Sequence, residues 1–152
     1  MQVRIITHYD VHNHGAVLQL NALKEVLTAM GHETKALTFE KNYEFMPSYA
    51  CVKYNIGIKS IPYYLGYIKN NGLERTLFNI RKRSILNNFK ASQQLIGEPY
   101  NEAKDIDALF VGSDEVFSIE AGKTGAFYGY ESPTPNIFSY AASYGPTTLE
   151  FI

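Results

Sequence analysis

The chain has 152 residues, 45% apolar and 19% charged, with a formal net charge of -1. That length suffices for one domain with a real core, and the composition is that of an ordinary soluble globular protein. The near-neutral balance excludes the basic excess that nucleic-acid binding leaves on a sequence.

The chain opens Met-Gln-Val-Arg-Ile-Ile-Thr and reaches His8 at once. This apolar run is far too short for a secretory h-region, so a cytoplasmic location is expected. No apolar run approaches the roughly 18 residues of a membrane helix, so no membrane span is expected. Residues 3–7 are β-rich and predict a first strand, followed by a polar loop over 8–15. Residues 16–30 predict a helix, because Val17, Leu20, Leu23, Val26, Leu27 and Met30 recur at three- and four-residue spacing and form one apolar stripe. Gly31 is the expected C-terminal stop, and residues 33–39 predict a second strand. Strand, helix and strand in under forty residues make a βαβ unit with a right-handed crossover.

Residues 41–60 show no period, and Pro47 and Pro62 punctuate this region. The only cysteine, Cys51, excludes an internal disulfide and fits a reducing compartment; a lone thiol is more often packed than nucleophilic. Residues 62–70 are Tyr-rich and suggest a short helix. Residues 72–95 make a better one, with Leu73, Leu77, Ile80, Ile85 and Phe89 at its apolar positions. Its Arg75, Arg81, Lys82, Arg83 and Lys90 are expected to form a solvated face, the alternative being a site for an anionic partner. Residues 97–102 read as a loop.

A short apolar run, 108–111, then predicts a strand buried on both faces. It stops at Gly112-Ser113-Asp114, where glycine permits a tight turn and a close approach. Ser113 and Asp114 would stand at the carboxyl edge of an open α/β sheet, where such sheets bind ligands, or would cap the next turn. A Gly-rich stretch over 121–129 carries Phe127 and Tyr128. Pro133 and Pro135 bound a turn, and residues 136–141 predict the last strand. With twelve Tyr, nine Phe and no Trp, part of the aromatic surface suits sugar or protein contact, most of it being expected in the core.

These elements predict a Rossmann-like, doubly wound α/β domain with a mostly parallel sheet. With the first strand central, the 33–39 strand lies on one side and the two later strands on the other. The loops after the first, third and last strands then converge at one sheet edge.

The first loop holds His8, His12 and His14, three of the four histidines. Alternation puts the His12 and His14 imidazoles on one side of an extended segment, as a metal site could use. Further ligands would have to come from distant segments, where only His32 remains, so no metal is expected. Asn13, His14 and Gly15 directly precede a helix whose free N–H groups favour an anion or a sugar. Gly15 lets a ligand approach, and Gln19 lies one turn further in; the plainer reading is an Asn13 cap. No dinucleotide fingerprint, nucleophile elbow, P-loop or C-x-x-C occurs. Ser113, His12 and Asp114 do not assemble into a triad from sequence alone.

Three segments in order, Asn13-His-Gly-Ala-Val-Leu-Gln19, Asp107-Ala-Leu-Phe-Val-Gly-Ser-Asp114 and Ser139-Tyr-Ala-Ala-Ser-Tyr-Gly145, resemble the polysaccharide pyruvyl transferase family. The resemblance covers nearly the whole chain, least so between about 41 and 103. It implies the N-terminal Rossmann-like half of a two-domain GT-B-like enzyme, with residues 1–152 forming one domain and a helical insertion at about 41–103. A second half of similar size is implied that this chain does not contain. The implied activity is transfer of a pyruvyl group from phosphoenolpyruvate to a sugar of a surface polysaccharide as a ketal. Phosphoenolpyruvate is a donor substrate held mainly by the second half, and no cofactor is implied. The substrate-binding residues would be Asn13, Gly15 and Gln19, holding an anionic or sugar group, Gly112, Ser113 and Asp114, bonding the hydroxyls of a sugar or polysaccharide-precursor acceptor or supporting the first loop, and Tyr140, Ser143 and Tyr144, shaping the same edge. His12 or His14 would assist proton transfer. The family usually carries Trp three positions after the Asp of Gly-Ser-Asp, where this chain has Phe117. The alternative expectation is a non-catalytic glycan- or partner-binding module of the same fold. A metal-dependent hydrolase built on His8, His12 and His14 is the third. An unfinished sheet edge seeks a partner strand, so a homo-oligomer is also an expectation.

Overall fold

β1 (Gln2–Ile6) is the central strand of a five-stranded sheet in the computed structural model, which describes residues 1–11, 13–39, 61–118 and 124–145. The other elements are α1 (His14–Ala29), β2 (Glu33–Thr38), α2 (Ile61–Ser92), β3 (Ile96–Pro99), β4 (Ala108–Val111) and β5 (Ile137–Ser139). A single turn of 3-10 helix spans Gly125–Tyr128. The strand order is β3-β2-β1-β4-β5, and every pairing is parallel. The fold is therefore Rossmann-like α/β, with the flanking strands distributed about β1 as the sequence predicts.

Alternation along the strands divides the core in two. Val3, Ile5, Ala36 and Ala108 pack under the α1 stripe of Leu20, Leu23 and Leu27. Ile6, Leu37, Leu109 and Val111 pack on the opposite face against Ala103, Ile106, Val116, Ala126 and Phe127. Passing from β1 to β2 and from β4 to β5 crosses the sheet in opposite directions. Right-handed crossovers thus send the two connections to opposite faces. The second face is covered by irregular chain and the 3-10 turn rather than by a long helix.

Two expectations are corrected. Residues 97–99, read as the start of a loop, belong to β3, which pairs with β2 through Ala36–Ile96 and Thr38–Pro99. Pro99 is tolerated because β3 is the edge strand. The two helices expected on either side of residue 71 are both present, abutting at Gly72, whose φ of 79° and ψ of 160° break the helix. The apolar stripe assigned to the second of them is not buried: Leu73, Leu77, Ile80 and Ile85 are exposed. The residue that docks is Leu86, against Val17 and Leu95, with Phe89 half-buried beside it. Cys51, with all of residues 40–60, lies outside the described residues. Among the described residues no helix is long and apolar enough to cross a membrane.

Candidate functional site

The segments after β1, β4 and β5 are sewn together at the carboxyl edge of the sheet. Gly112 N donates to Ile6 O at 3.0 Å, and Tyr140 N donates to Val111 O at 3.0 Å. Thr7 Oγ1 donates to the Ser113 carbonyl at 2.7 Å. Asp114 N donates to Ala141 O at 3.3 Å, Ser143 N to Asp114 O at 3.0 Å and Phe117 N to Ser143 O at 3.0 Å. This junction lies between β1 and β4, where the strand order reverses, and open α/β sheets bind ligands at that switch point.

Gly112 is required by the junction itself. Its φ is 111°, and an added Cβ would stand 2.2 Å from Tyr140 O. The peptide that joins it to Ser113 is cis. Ser113 is buried, and Asp114 is half-buried at a φ of 125°, an uncommon value for a residue with a side chain. Asp114 Oδ1 accepts from Glu115 N at 2.9 Å. Asn13 is the N-cap of α1, its Oδ1 accepting from Gly15 N at 2.8 Å. The capping role is thus realised at Asn13, while among the described residues the Asp114 carboxylate bonds only the next amide and caps no helix. His14, Gly15 and Gln19 are exposed on the first turns of α1, and Tyr140, Ser143 and Tyr144 are exposed along the segment after β5. His12 lies outside the described residues.

His8 does not join the exposed residues of its loop. It is buried, edge-on to Phe127 with ring centroids 4.9 Å apart, and Nε2 lies 3.3 Å from Glu115 O. Among the described residues, no group of three or more His, Cys, Asp or Glu side chains is placed to hold a metal ion. Phe117 stacks on Tyr128 at 5.4 Å and tilts against Tyr144 at 5.5 Å, which makes an aromatic ledge beside the junction. Burial, helped by the neighbouring Tyr144, raises the Tyr128 hydroxyl above its ordinary pKa of 10.0.

A second feature of this edge was missed in the sequence. A cleft of about 540 Å³ opens where β1, β2 and β3 end, and Tyr9, Phe39, Tyr100, Tyr130, Glu102 and Glu131 stand on its walls. Tyr9 and Phe39 meet edge to face at 5.4 Å. Tyr100 donates its hydroxyl to Tyr130 O at 2.9 Å. Burial raises the pKa of both Tyr9 and Tyr100; a bond with the Phe39 backbone partly opposes it at Tyr9, and one with Ser132 at Tyr100. The advance signal in the sequence is its aromatic richness; Pro99 to Glu102, which line one side of the cleft, fall in the stretch that the sequence reads as a loop.

Compared with family models, curated proteins and solved structures, this chain matches none. Chemically, the junction offers a glycine-floored turn, exposed amide and hydroxyl groups and the N-terminal turn of α1. Lys90 reaches the same edge and donates from Nζ to Tyr9 O at 3.3 Å. The helix N-terminus and Lys90 suit a negatively charged group, and the amide and hydroxyl groups suit the hydroxyls of a sugar.

Proposed function

We propose that this domain is the acceptor-side half of a polysaccharide pyruvyl transferase-like enzyme of the two-domain, GT-B-like kind, acting in the cytoplasm. The observation behind the proposal is spatial. The Gly112-Ser113-Asp114 turn and the Tyr140–Tyr144 segment, two of the three stretches that resemble the family, are bonded to each other at the switch point. The loop leading into the third is bonded there through Thr7 and Ser113. In the reaction two acceptor hydroxyl oxygens add to C2 of the enolpyruvyl group and phosphate leaves. One hydroxyl proton ends on C3, making the methyl group, and the other on the phosphate. Ser143 and Asp114 would bond the acceptor hydroxyls, and exposed His14, with His12, would carry protons. Phosphoenolpyruvate would be held chiefly by a second half.

The experiment is an assay of phosphate release from phosphoenolpyruvate with sugar acceptors, using the product of the complete reading frame. Asp114→Ala and Asn13→Ala are expected to lower the rate or the acceptor affinity at least about tenfold. An active enzyme in which both variants kept rate and affinity would sink the site assignment. A second reading, a glycan- or partner-binding module without chemistry, is favoured by one observation: Asn13 Oδ1 and Asp114 Oδ1 are already engaged by backbone amides. Binding of acceptor sugars with no phosphate release by the complete product would establish that reading instead.

A further inference from the structure

We propose that the cleft at the ends of β1, β2 and β3 is a binding site for an uncharged pyranose. It deepens the functional reading above by giving the sugar its own subsite. Only the sugar's role as acceptor rests on that reading; its binding does not.

The volume, about 540 Å³, is in the range of small-ligand sites, and the cleft lies at the sheet edge where parallel α/β folds bind ligands. A pyranose presents an apolar C–H face and a rim of hydroxyls. The cleft supplies a partner for each. Tyr130 is 68% exposed, yet its backbone is held by the Tyr100 hydroxyl. One side of its ring lies over Gly125, where an added Cβ would come within 3.4 Å of the ring. Most of the rest of the side chain is uncovered among the described residues, so an aromatic platform is presented at little entropic cost. Glu102 and Glu131 are exposed carboxylates that accept hydroxyl hydrogens, and Asn101 can both donate and accept. No Lys, Arg or His is among the described residues that line the cleft. Two carboxylates stand on its described walls, and Lys90, which donates to Tyr9 O at 3.3 Å, is engaged at its margin; the carboxylates disfavour phosphates and other carboxylates, which separates the cleft from any donor site for phosphoenolpyruvate.

Saturation-transfer difference NMR tests this with the intact chain, no phosphoenolpyruvate, and the methyl pyranosides of glucose, galactose and mannose. Spermidine and methyl phosphate, each observed through its C–H protons, serve as charge probes. At least one pyranoside should receive saturation on its ring C–H protons. Tyr130→Ala and Glu102→Gln, both at exposed positions, should weaken binding about three- to tenfold, while Glu74→Gln, on the exposed outer part of α2, leaves it intact. Thermal melts of the variants confirm that the fold is kept. No transfer to any pyranoside overturns the proposal, as does unchanged binding by both cleft variants. Transfer to spermidine alone, lost in Glu102→Gln, would overturn the proposal and make the cleft a cation site, and transfer to methyl phosphate that is lost in Tyr130→Ala would refute the charge reasoning. Because no donor is present, pyranoside binding can succeed even if the transferase assignment fails.

Discussion

A methyl group at Gly112 meets two obstacles, whereas one at Gly31 meets a single obstacle. Both glycines have positive φ, 111° and 89°, which costs an L-residue about 1–3 kcal/mol. Only at Gly112 is there also a backbone carbonyl 2.2 Å from the added carbon, and overpacking of that kind adds about 1–3 kcal/mol. Gly112→Ala should therefore lower the urea midpoint clearly more than Gly31→Ala, and equal losses would show that the β4–β5 junction yields easily. Asn13 permits a separation of roles. Asn13→Ala removes a cap and should cost about 1 kcal/mol, whereas Asn13→Asp keeps a capping oxygen and the stability. If Asn13→Asp also loses acceptor affinity, the side chain's amide N–H is what the ligand uses. Gly112, Ser113 and Asp114 were legible in the sequence because a glycine ending an apolar run marks a sheet edge. Tyr9, Tyr100 and Tyr130 were not, since they come from segments about 90 and 30 residues apart, and no period or spacing links them.

At the scale of elements, β3 shows what joins a strand of poor propensity to its sheet. Its sequence, Ile-Gly-Glu-Pro, has one strong β-former among four residues. It is fixed from below by Glu98, which reaches across β2 to Arg4 at 2.6 Å. Arg4 is 4% exposed on the central strand and also donates to Gln2 Oε1 at 2.8 Å. Burial alone would raise the Glu98 carboxyl. The Arg4 bond, the residue's own backbone amide and the charges of Arg4 and Lys35 outweigh it and hold the pKa below the ordinary 4.5. A carboxyl depressed in the folded state contributes stability that is complete above its unfolded pKa and is lost as pH falls through the folded value. Urea midpoints taken from about pH 6 down to about pH 3 should therefore fall below pH 4.5, and Glu98→Gln should flatten that limb and lower the plateau above it. A parallel pair of curves would mean that the ion pair adds nothing. The strand was illegible because a tertiary ion pair to a residue 94 positions away holds it, not its own pattern. α1 was legible because its stripe has a sheet to cover. The 73–85 stripe of α2 has the same period and no cover among the described residues, and periodicity cannot distinguish the two cases.

Across the whole molecule the burial is uneven, and protection against hydrogen exchange should follow it. Val3, Ile5, Ile6, Leu37 and Leu109 are each at most 1% exposed, and the central strands that carry them belong to both core clusters. Opening their amides means dismantling the sheet, so they should exchange only with global unfolding. The outer part of α2, from Leu65 to Ile80, has Leu65, Leu73, Leu77, Phe78 and Ile80 each more than 60% exposed, with a helix break at Gly72. A helix with so few buried contacts opens locally, since most helical stability comes from packing an apolar face. Exchange followed by mass spectrometry should thus rank β1 and β4 slowest, then α1, then the end of α2 around Leu86, with residues 65–80 the fastest helical stretch. Protection of 65–80 equal to that of β1 would contradict this order and would require something to cover those apolar side chains. Repeating the exchange over a hundredfold range of protein concentration then decides what the cover is. Protection that rises with concentration identifies a second copy of the chain, in line with the oligomer expected from the sequence. Protection independent of concentration places the cover within the chain itself.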